Sequence, residues 1–377
     1  MDTTTFRTQM PVTQRWAFLD HAAVAPLPAP TRDTLAAWAD DMAAHGVLAV
    51  GRWQARVEAT RQRFADLLRA QPDEIAFVKN TSEGIGFVAE GVDWQAGDNV
   101  VTSSDEYPAN VYPWMNLASR GVELRRVPSR AGRVDLDDLR AAMDARTRVV
   151  TLSFVEFATG FRNDLDAVGQ LCRERGALFC VDAIQGLGAF DLDVSRLPID
   201  CLAADGHKWL LGPEGAGIFW IRREWIDRLR PVGVGWNSVV GAWEFSTIDF
   251  RLKPHAGRWE SGTLNVGGIV AMGASLELLL QVGIARVTDR LRELTERLCH
   301  QVEGTAWRVF SSRREGEWSG IVSLEGPPGC DLAGVVRTLR ERGLVVNQRG
   351  GRLRVSPHVY NTPEEIDLLV CHLGEMR

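Results

Sequence analysis

The sequence has little that would place the chain in a membrane or on nucleic acid. The first residues, MDTTTFRTQM PVTQRW, contain no basic start followed by an apolar segment, so no secretory signal peptide is expected. No apolar run reaches the roughly 20 residues of a membrane helix, since Ile269–Ile284 is interrupted by Gly273 and Glu277. The net charge is −6 and no block of lysine or arginine stands out, so we expect neither a nucleic-acid nor a membrane partner.

The six cysteines lack the CxxC spacing of a zinc site or a disulfide framework. They are Cys172, Cys180, Cys201, Cys299, Cys330 and Cys371. This scatter fits a reducing cytoplasm, and each cysteine is most simply interpreted as a small buried apolar side chain. We therefore expect a cytoplasmic protein without a metal site.

Helix and strand patterns alternate from about residue 55 to 255, which predicts an α/β fold with a parallel sheet and crossover helices. Glycine, proline and threonine punctuate residues 255–270, and a smaller α+β unit follows them. We predict a large domain of residues 15–255 and a small domain of residues 1–14 and 256–377. Within the small domain, one helix is predicted over about 270–303.

Two polar side chains come directly after apolar strands. Asp182 ends the run Ala177–Val181, and Lys208 follows the run Cys201–Ala204 in an Asp-Gly-His-Lys turn. Because the carboxyl ends of strands face the ligand crevice in an open α/β sheet, these side chains should converge on one small molecule. The acid could pair with a pyridinium nitrogen, and the amine could form an imine. Together they predict pyridoxal phosphate as the ligand.

Each of these residues also has an ordinary alternative. A buried Asp182 needs a partner such as a protonated pyridine, but it could instead cap a helix. Trp209 should desolvate Lys208, lower the pKa of its amine and favour Schiff-base formation, whereas a surface lysine is the alternative. Gln185 could donate a hydrogen bond to the phenolic oxygen of the ring, and His207 could hold the phosphate.

A candidate phosphate cradle lies where a strand leads into a helix, at Asn80-Thr81-Ser82-Glu83-Gly84. The free amides of the first helical turn, with the hydroxyls of Thr81 and Ser82, suit an anion. An ordinary helix N-cap is the alternative, so the motif predicts a phosphate site only together with Asp182 and Lys208.

These residues resemble the class V branch of fold-type I pyridoxal-phosphate enzymes. That branch includes cysteine desulfurases, cystine C–S lyases, isopenicillin N epimerase-like proteins and aminotransferases. The resemblance extends from Phe18 to Glu365, and its motifs are Val181-Asp-Ala-Ile-Gln185, Gly206-His-Lys208, Arg258-Trp-Glu-Ser-Gly-Thr263, and Arg354 ahead of Tyr360-Asn-Thr362. It implies a large domain with a mainly parallel seven-stranded sheet and a smaller α+β domain.

The resemblance also implies a set of cofactor contacts. They are Thr81, Ser82, Tyr107, Asp182, Gln185, His207 and Lys208. Lys208 would form the Schiff base and move protons, and Tyr107 would stack on the ring. Thr81 and His207 would bind the phosphate with help from the backbone of Ser82.

Further implied residues concern the substrate and a second subunit. Thr263 would reach the phosphate of the partner subunit, which implies a homodimer with shared sites. Arg354 would bind the carboxylate of a small amino-acid substrate, with Arg352 as the competing candidate on the same strand face. His21 would either contact substrate or satisfy the local backbone.

Several positions depart from the family pattern. Desulfurases carry a nucleophilic cysteine in a loop shortly before the carboxylate-binding arginine, whereas Val345–Arg354 is short and contains none. Asp205 and Phe157 replace a serine and a ring-contacting asparagine, and Glu156 is a carboxylate without an assigned role.

These departures favour a C–S lyase-like β-elimination over a desulfurase. Transamination and epimerisation remain alternatives, and a non-catalytic protein that keeps the fold as a scaffold is the alternative from another class. A dehydrogenase is set aside because no GxGxxG follows a first strand.

Overall fold

A seven-stranded sheet organises the computed structural model, which describes residues 1–376. The strands, in chain order, are β1 Ala17–Phe18, β2 Ile75–Val78, β3 Asn99–Ser103, β4 Glu123–Val127, β5 Thr147–Ser153, β6 Leu178–Asp182, β7 Cys201–Asp205, β8 Gly217–Ile221, β9 Arg308–Val309, β10 Val322–Glu325, β11 Leu344–Val345, β12 Asn347–Arg349 and β13 Arg352–Val355. The helices are α1 Thr3–Thr8, α2 Ala29–His45, α3 Val50–Leu68, α4 Thr81–Gly91, α5 Tyr112–Met115, α6 Leu136–Ala142, α7 Leu165–Arg175, α8 Val266–Val282, α9 Ile284–Val302, α10 Leu332–Glu341 and α11 Pro363–Glu375.

The large sheet has the spatial order β2-β8-β7-β6-β5-β3-β4. β8 runs antiparallel to both of its neighbours, and every other pair of adjacent strands is parallel. The predicted mainly parallel seven-stranded sheet is therefore confirmed. Its parallel arrangement brings the carboxyl ends of β3, β5, β6 and β7 to the same edge.

Both faces of the central strands are buried, which explains their nearly continuous apolar runs. Phe179 and Val181 of β6 lie in one buried cluster with residues of α3, α7 and α8. Leu178 and Cys180 point to the opposite face and lie in a second cluster with Ile85 and Val88 of α4. α4 lies very close to the sheet, because a Cβ atom on Gly84 would come within 2.6 Å of the Ala203 Cβ.

The smaller unit is built on a four-stranded antiparallel sheet of order β12-β13-β10-β9. Its own buried cluster combines residues of α9, α10 and α11 with Val322, Leu324, Leu353 and Val355. β12 and β13 are joined by only two residues, Gly350 and Gly351, with φ of 54° and 74°. Two consecutive positive φ angles favour glycine and make this the shortest common kind of hairpin.

Packing contacts cross the predicted domain limits at both ends. Met272 and Leu276 of α8 share a buried cluster with Ile218 of the large sheet, across the predicted boundary at residue 255. β1, predicted within the large domain, pairs in parallel with β11 of the small unit. The single helix predicted over 270–303 is two helices, which meet at 78° at Gly283, whose φ is 87°.

Two other sequence-based expectations can be compared with the structure. Cys172, Cys180 and Cys201 are buried, but Cys299 and Cys330 are only partly buried and Cys371 is exposed, so the interpretation of every cysteine as buried does not hold for these last three. Within residues 1–376, no single helix is long and apolar enough to cross a membrane, and only the bent pair α8–α9 meets that test, by length and composition.

Candidate active site

A cavity of about 330 Å³ opens at the carboxyl ends of the central strands. Eight predicted residues line it, namely Thr81, Ser82, Tyr107, Asp182, Gln185, His207, Lys208 and Arg354. The other lining residues come from the N-terminal loop, the loops after β3 and β5, the end of β7 with the loop after it, and the β12–β13 hairpin, and include Ala22, Ala23, Val24, Phe157, Asp205, Glu214 and Arg349. Long-range folding thus brings segments far apart in sequence to one crevice.

Asp182 is the last residue of β6 and is almost completely buried. Its Oδ1 atom accepts a hydrogen bond of 3.0 Å from the Ile184 amide, and a turn rather than a helix follows, so the helix-cap alternative is wrong. Burial raises the pKa of Asp182 to about 6, against the opposing effects of the Ile184 amide and the charge of Lys208. The carboxyl group is ionised at neutral pH and suited to hold a positively charged ring nitrogen.

Lys208 is buried, so the surface-lysine alternative is wrong. Its Nζ atom lies 5.6 Å from the centroid of the Tyr107 ring. Burial lowers the pKa of Lys208 to about 8, although the charge of Asp182 opposes this shift. A substantial fraction of the amine is therefore neutral near physiological pH, which an imine-forming amine requires.

Trp209 fixes the orientation of the Gln185 amide. The indole N–H of Trp209 donates to Gln185 Oε1 at 2.8 Å, and Gln185 Nε2 donates to the Ala22 carbonyl at 2.9 Å. Because an indole can only donate, the oxygen of Gln185 must face Trp209. One amide hydrogen of Gln185 remains for the cavity that this side chain lines.

The helix α4 presents its first turn to the cavity. Asn80 caps the helix, since its side chain accepts a hydrogen bond of 2.9 Å from the Glu83 amide. The amides of Thr81 and Ser82 lie ahead of the first intrahelical hydrogen bond and suit an anion. Thr81 Oγ1 also accepts a bond of 3.1 Å from the Asp205 amide, which ties the helix to the end of β7.

Asp205, whose role the sequence leaves open, faces His207. Its Oδ2 atom lies 3.1 Å from His207 Nδ1, although the angle is not that of a hydrogen bond. Asp205 therefore lies against His207 instead of facing an anion alone.

The two candidate arginines of β13 have different surroundings. Arg354 is buried and lines the cavity; it donates to Asp20 Oδ1 at 3.1 Å and to the Phe157 carbonyl at 2.9 Å, while its Nε has no partner. Arg352 lies over the Phe310 ring and 3.5 Å from Glu325, and it does not line the cavity. Of the two candidates, Arg354 and Arg352, only Arg354 is placed to reach a ligand.

Glu156 and Phe157 occupy different sides of the cavity wall. Phe157 lines the cavity and packs edge-on against Tyr107, with 5.1 Å between ring centroids. Glu156 is fully buried behind it, where burial raises its pKa well above the usual range and the neighbouring charge of Glu106 adds to the shift. Glu156 is therefore buried behind the cavity wall and has no access to a ligand.

Two predicted residues are not in this cavity. His21 is fully buried and bonded through its ring nitrogens to the Ser356 carbonyl at 2.9 Å and the Tyr360 hydroxyl at 2.7 Å, so the local-structure alternative describes it and the substrate contact is not supported. Thr263 lines a separate cavity of about 550 Å³ beside Trp236.

The sequence analysis missed three residues near the cavity, namely Asp20, Asn347 and Arg349. Asn347 Nδ2 donates to Asp20 Oδ2 at 2.8 Å, and Arg349 Nη1 donates to Asn347 Oδ1 at 3.0 Å. Nothing in the local sequence marks them, because Asp20 reaches Arg354 across 334 positions and β12 has only three residues.

Comparison with known proteins gives one family. The model described as aminotransferase class-V matches residues 17–369. A probable cysteine desulfurase of Methanothermobacter thermautotrophicus is 30% identical over 398 residues, which cover 100% of this chain and 98% of that protein. A cysteine desulfurase of Cronobacter sakazakii is 31% identical, over 96% of this chain and 93% of that protein.

Solved structures agree in fold. The apo structure of a cysteine desulfurase from Thermococcus onnurineus has a TM-score of 0.89 at 26% identity and covers 98% of this chain and 97% of its own. A complex of the cystine C–S lyase C-DES with cysteine persulfide has a TM-score of 0.92 at 23% identity, over 98% and 100% of the two chains.

The residues in the cavity fit the cofactor of this family. The buried carboxyl of Asp182 suits a pyridine nitrogen, and the buried amine of Lys208, with its lowered pKa, suits an aldehyde. The free amide hydrogen of Gln185 suits a phenolic oxygen, and the first turn of α4 suits a phosphate. The family model matches residues 17–369, and the probable cysteine desulfurase relative is 30% identical over 100% of this chain. These findings confirm the resemblance to class V pyridoxal-phosphate enzymes. The chain belongs to the class V aminotransferase family and is a pyridoxal-phosphate enzyme similar to cysteine desulfurases.

Proposed function

We propose that the enzyme eliminates a sulfur leaving group from the β-carbon of a small α-amino acid, as a C–S lyase does. The observation that carries this proposal is the two-residue hairpin between β12 and β13. Gly350 and Gly351 join the strands directly, and none of the six cysteines lines the cavity. Sulfur transfer through a persulfide on a cysteine of this chain therefore has no support, whereas elimination needs no such cysteine.

The cavity residues divide the work of elimination among them. When bound, pyridoxal phosphate acts as the electron sink for the substrate α-carbon. Asp182 holds a proton at the ring nitrogen, and Gln185 donates to the phenolic oxygen. Lys208 Nζ takes the α-proton, and Arg354 orients the substrate through its carboxylate. The sulfur group leaves with the electron pair of the Cβ–S bond.

We further propose a cytoplasmic location and, as the working form, a homodimer with shared sites; the arrangement of this subunit supports the homodimer. Thr263 lies outside its own Lys208 cavity, as a residue that serves a partner would. Trp243, which lines the same cavity as Thr263, and Phe245, which packs on Trp243, are 66% and 71% exposed. An exposed group of large apolar side chains is typical of a protein–protein interface. Analytical ultracentrifugation of the purified protein would give a monomer mass if this proposal is wrong.

A product assay tests the reaction type directly. The purified enzyme is loaded with pyridoxal phosphate and given S-methyl-L-cysteine. We expect pyruvate, ammonia and methanethiol in equal amounts. A 2-oxo acid that retains the sulfur would indicate transamination, the D-amino acid epimerisation, and no product together with no bound cofactor would indicate a scaffold protein.

A further inference from the structure

Arg349 is a second guanidinium at the substrate side of the cavity. The register of the hairpin pairs Asn347 with Arg354 and Arg349 with Arg352. All four side chains lie on one face of the hairpin, since alternate residues of a strand share a face and directly paired residues do too. Arg349 and Arg354 are therefore diagonal neighbours, about 7–8 Å apart at the backbone.

A chain of hydrogen bonds holds both guanidinium groups in place. Arg349 Nη1 donates to Asn347 Oδ1 at 3.0 Å, Asn347 Nδ2 donates to Asp20 Oδ2 at 2.8 Å, and Arg354 Nη2 donates to Asp20 Oδ1 at 3.1 Å. Arg349 also donates to the Gln348 carbonyl at 2.8 Å. Side chains that are already positioned lose less entropy when they bind a ligand.

Arg349 differs from the other arginines of the hairpin in its charge balance. Arg354 is paired with Asp20, and Arg352 is paired with Glu325. Within residues 1–376, Arg349 has no carboxylate within 4 Å, although it lines the cavity. Its bonds are to neutral oxygen atoms only, so its positive charge remains available.

The other charges of the cavity do not occupy Arg349. Asp205 lies beside His207. Asp182 interacts with the charge of Lys208 and is assigned to the ring nitrogen of the cofactor. Glu214 lies at the exposed rim and forms no ion pair with Arg349. A ligand with one carboxylate would engage Arg354 and leave the second guanidinium without an anion.

From this arrangement we propose that Arg349 binds a second anionic group, a carboxylate on the side chain of the substrate. The inference rests on the proposed function, in which Arg354 takes the α-carboxylate. The substrate class is accordingly an α-amino acid that carries sulfur at the β-carbon and a carboxylate beyond it. Arg349 sets this specificity and has no part in the chemical step.

Two matched ligands test the inference, S-methyl-L-cysteine and S-carboxymethyl-L-cysteine, which differ by one carboxylate. Binding to the cofactor-loaded enzyme is measured as the change in visible absorbance on rapid mixing, before turnover. A charge-assisted pair predicts that the carboxymethyl ligand binds at least about tenfold more tightly. Arg349→Gln should remove this preference, because it weakens binding of the carboxymethyl ligand far more than binding of the methyl ligand, while Arg349→Lys should retain part of it.

Arg352→Gln is the matched control, because Arg352 lies opposite Arg349 but outside the cavity. It should keep the full preference. Equal binding of the two ligands by the unmodified enzyme, or an unchanged preference in Arg349→Gln, would overturn the inference while leaving the elimination reaction in place. Failure of S-methyl-L-cysteine to bind or react would instead overturn the proposed function, and the inference with it.

Discussion

The two ends of the cavity are built in different ways. The cofactor end consists of residues at the ends of long buried elements, namely Thr81, Ser82, Asp182, Gln185, His207 and Lys208. The substrate end consists of short segments far apart in sequence that are tied by side-chain bonds, namely Asp20, Phe157, Asn347, Arg349 and Arg354. The comparison indicates that the cofactor is held by the sheet itself, whereas the substrate choice depends on a hairpin that can vary independently.

The largest effect is expected from removing Lys208 at the cofactor end. Among residues 1–376, Lys208 is the only lysine that lines the cavity, so Lys208→Ala should abolish both activity and the visible absorbance of lysine-linked cofactor. Circular dichroism should show an intact fold. Lys79→Ala, which removes an exposed lysine paired with Glu83, is the control and should retain full activity. Residual activity in Lys208→Ala above a few per cent would contradict the assigned role.

The next effect concerns the charge of Asp182. Asp182→Asn keeps the shape and the acceptor for the Ile184 amide but cannot hold a proton at the ring nitrogen. By analogy with other preorganised electrostatic groups, kcat/KM for S-methyl-L-cysteine should fall by about 100-fold or more. Asp191→Asn, at an exposed surface position, should have no effect. A loss of only a few-fold in Asp182→Asn would show that the carboxylate is structural.

At the substrate end, Arg354→Gln should act mainly on binding. Loss of a charge-assisted hydrogen-bonded pair corresponds to a KM increase of about 10–100-fold, with a smaller change in kcat. The matched variant Arg352→Gln should leave KM unchanged because Arg352 faces Phe310 and Glu325. The opposite pattern, with KM raised only in Arg352→Gln, would reverse the assignment of the two arginines.

The lowered pKa of Lys208 predicts a pH dependence of cofactor capture. Only the neutral amine attacks an aldehyde, so the rate of capture by the cofactor-free enzyme should rise with pH through about 8 and then level off. Between pH 7 and 9 the rise should be about tenfold, whereas a lysine with the usual pKa near 10.4 would give about a hundredfold rise with no plateau. Stopped-flow absorbance measures this rate, and a continued rise above pH 9 would contradict the burial effect.

The smallest effect should come from Trp209. Trp209→Phe keeps most of the ring but removes the N–H that orients Gln185. We expect a few-fold loss of activity, a shift in the pH at which the bound cofactor changes colour, and about 1 kcal/mol less free energy of unfolding. Trp307→Phe is the control, because its N–H bonds to the Leu373 carbonyl away from the cavity. Equal spectra for the two variants would show that Trp209 acts only on stability.

The contrast between the two ends also explains what the sequence could predict. Asp182 and Lys208 follow directly after apolar strands, and the rule that parallel strands end at one edge brings them together without further information. The Asn80 cap and the first turn of α4 are likewise local features. These signals predicted an α/β sheet with Asp182 and Lys208 at one edge, whereas the seven-stranded sheet and the role of Tyr107 were expected only from the family resemblance.

The sequence contains no comparable local signal for the contacts at the substrate end. The contact of Asp20 with Arg354 and the path of Arg349 into the cavity depend on the register of a three-residue strand, which no periodicity reveals. At these positions tertiary packing decides the outcome, and local propensity does not. The break at Gly283 differs, because a glycine of positive φ is a local helix-end signal, which the continuous apolar pattern obscured.

The most direct test of the central claim is to map the lysine that holds the cofactor. The chain has three lysines, Lys79, Lys208 and Lys253, so borohydride reduction of the pyridoxal-phosphate enzyme followed by peptide mass spectrometry gives an unambiguous answer. We predict one cofactor per chain, attached to Lys208. Attachment to Lys79 or Lys253, or no attachment at all, would contradict the account.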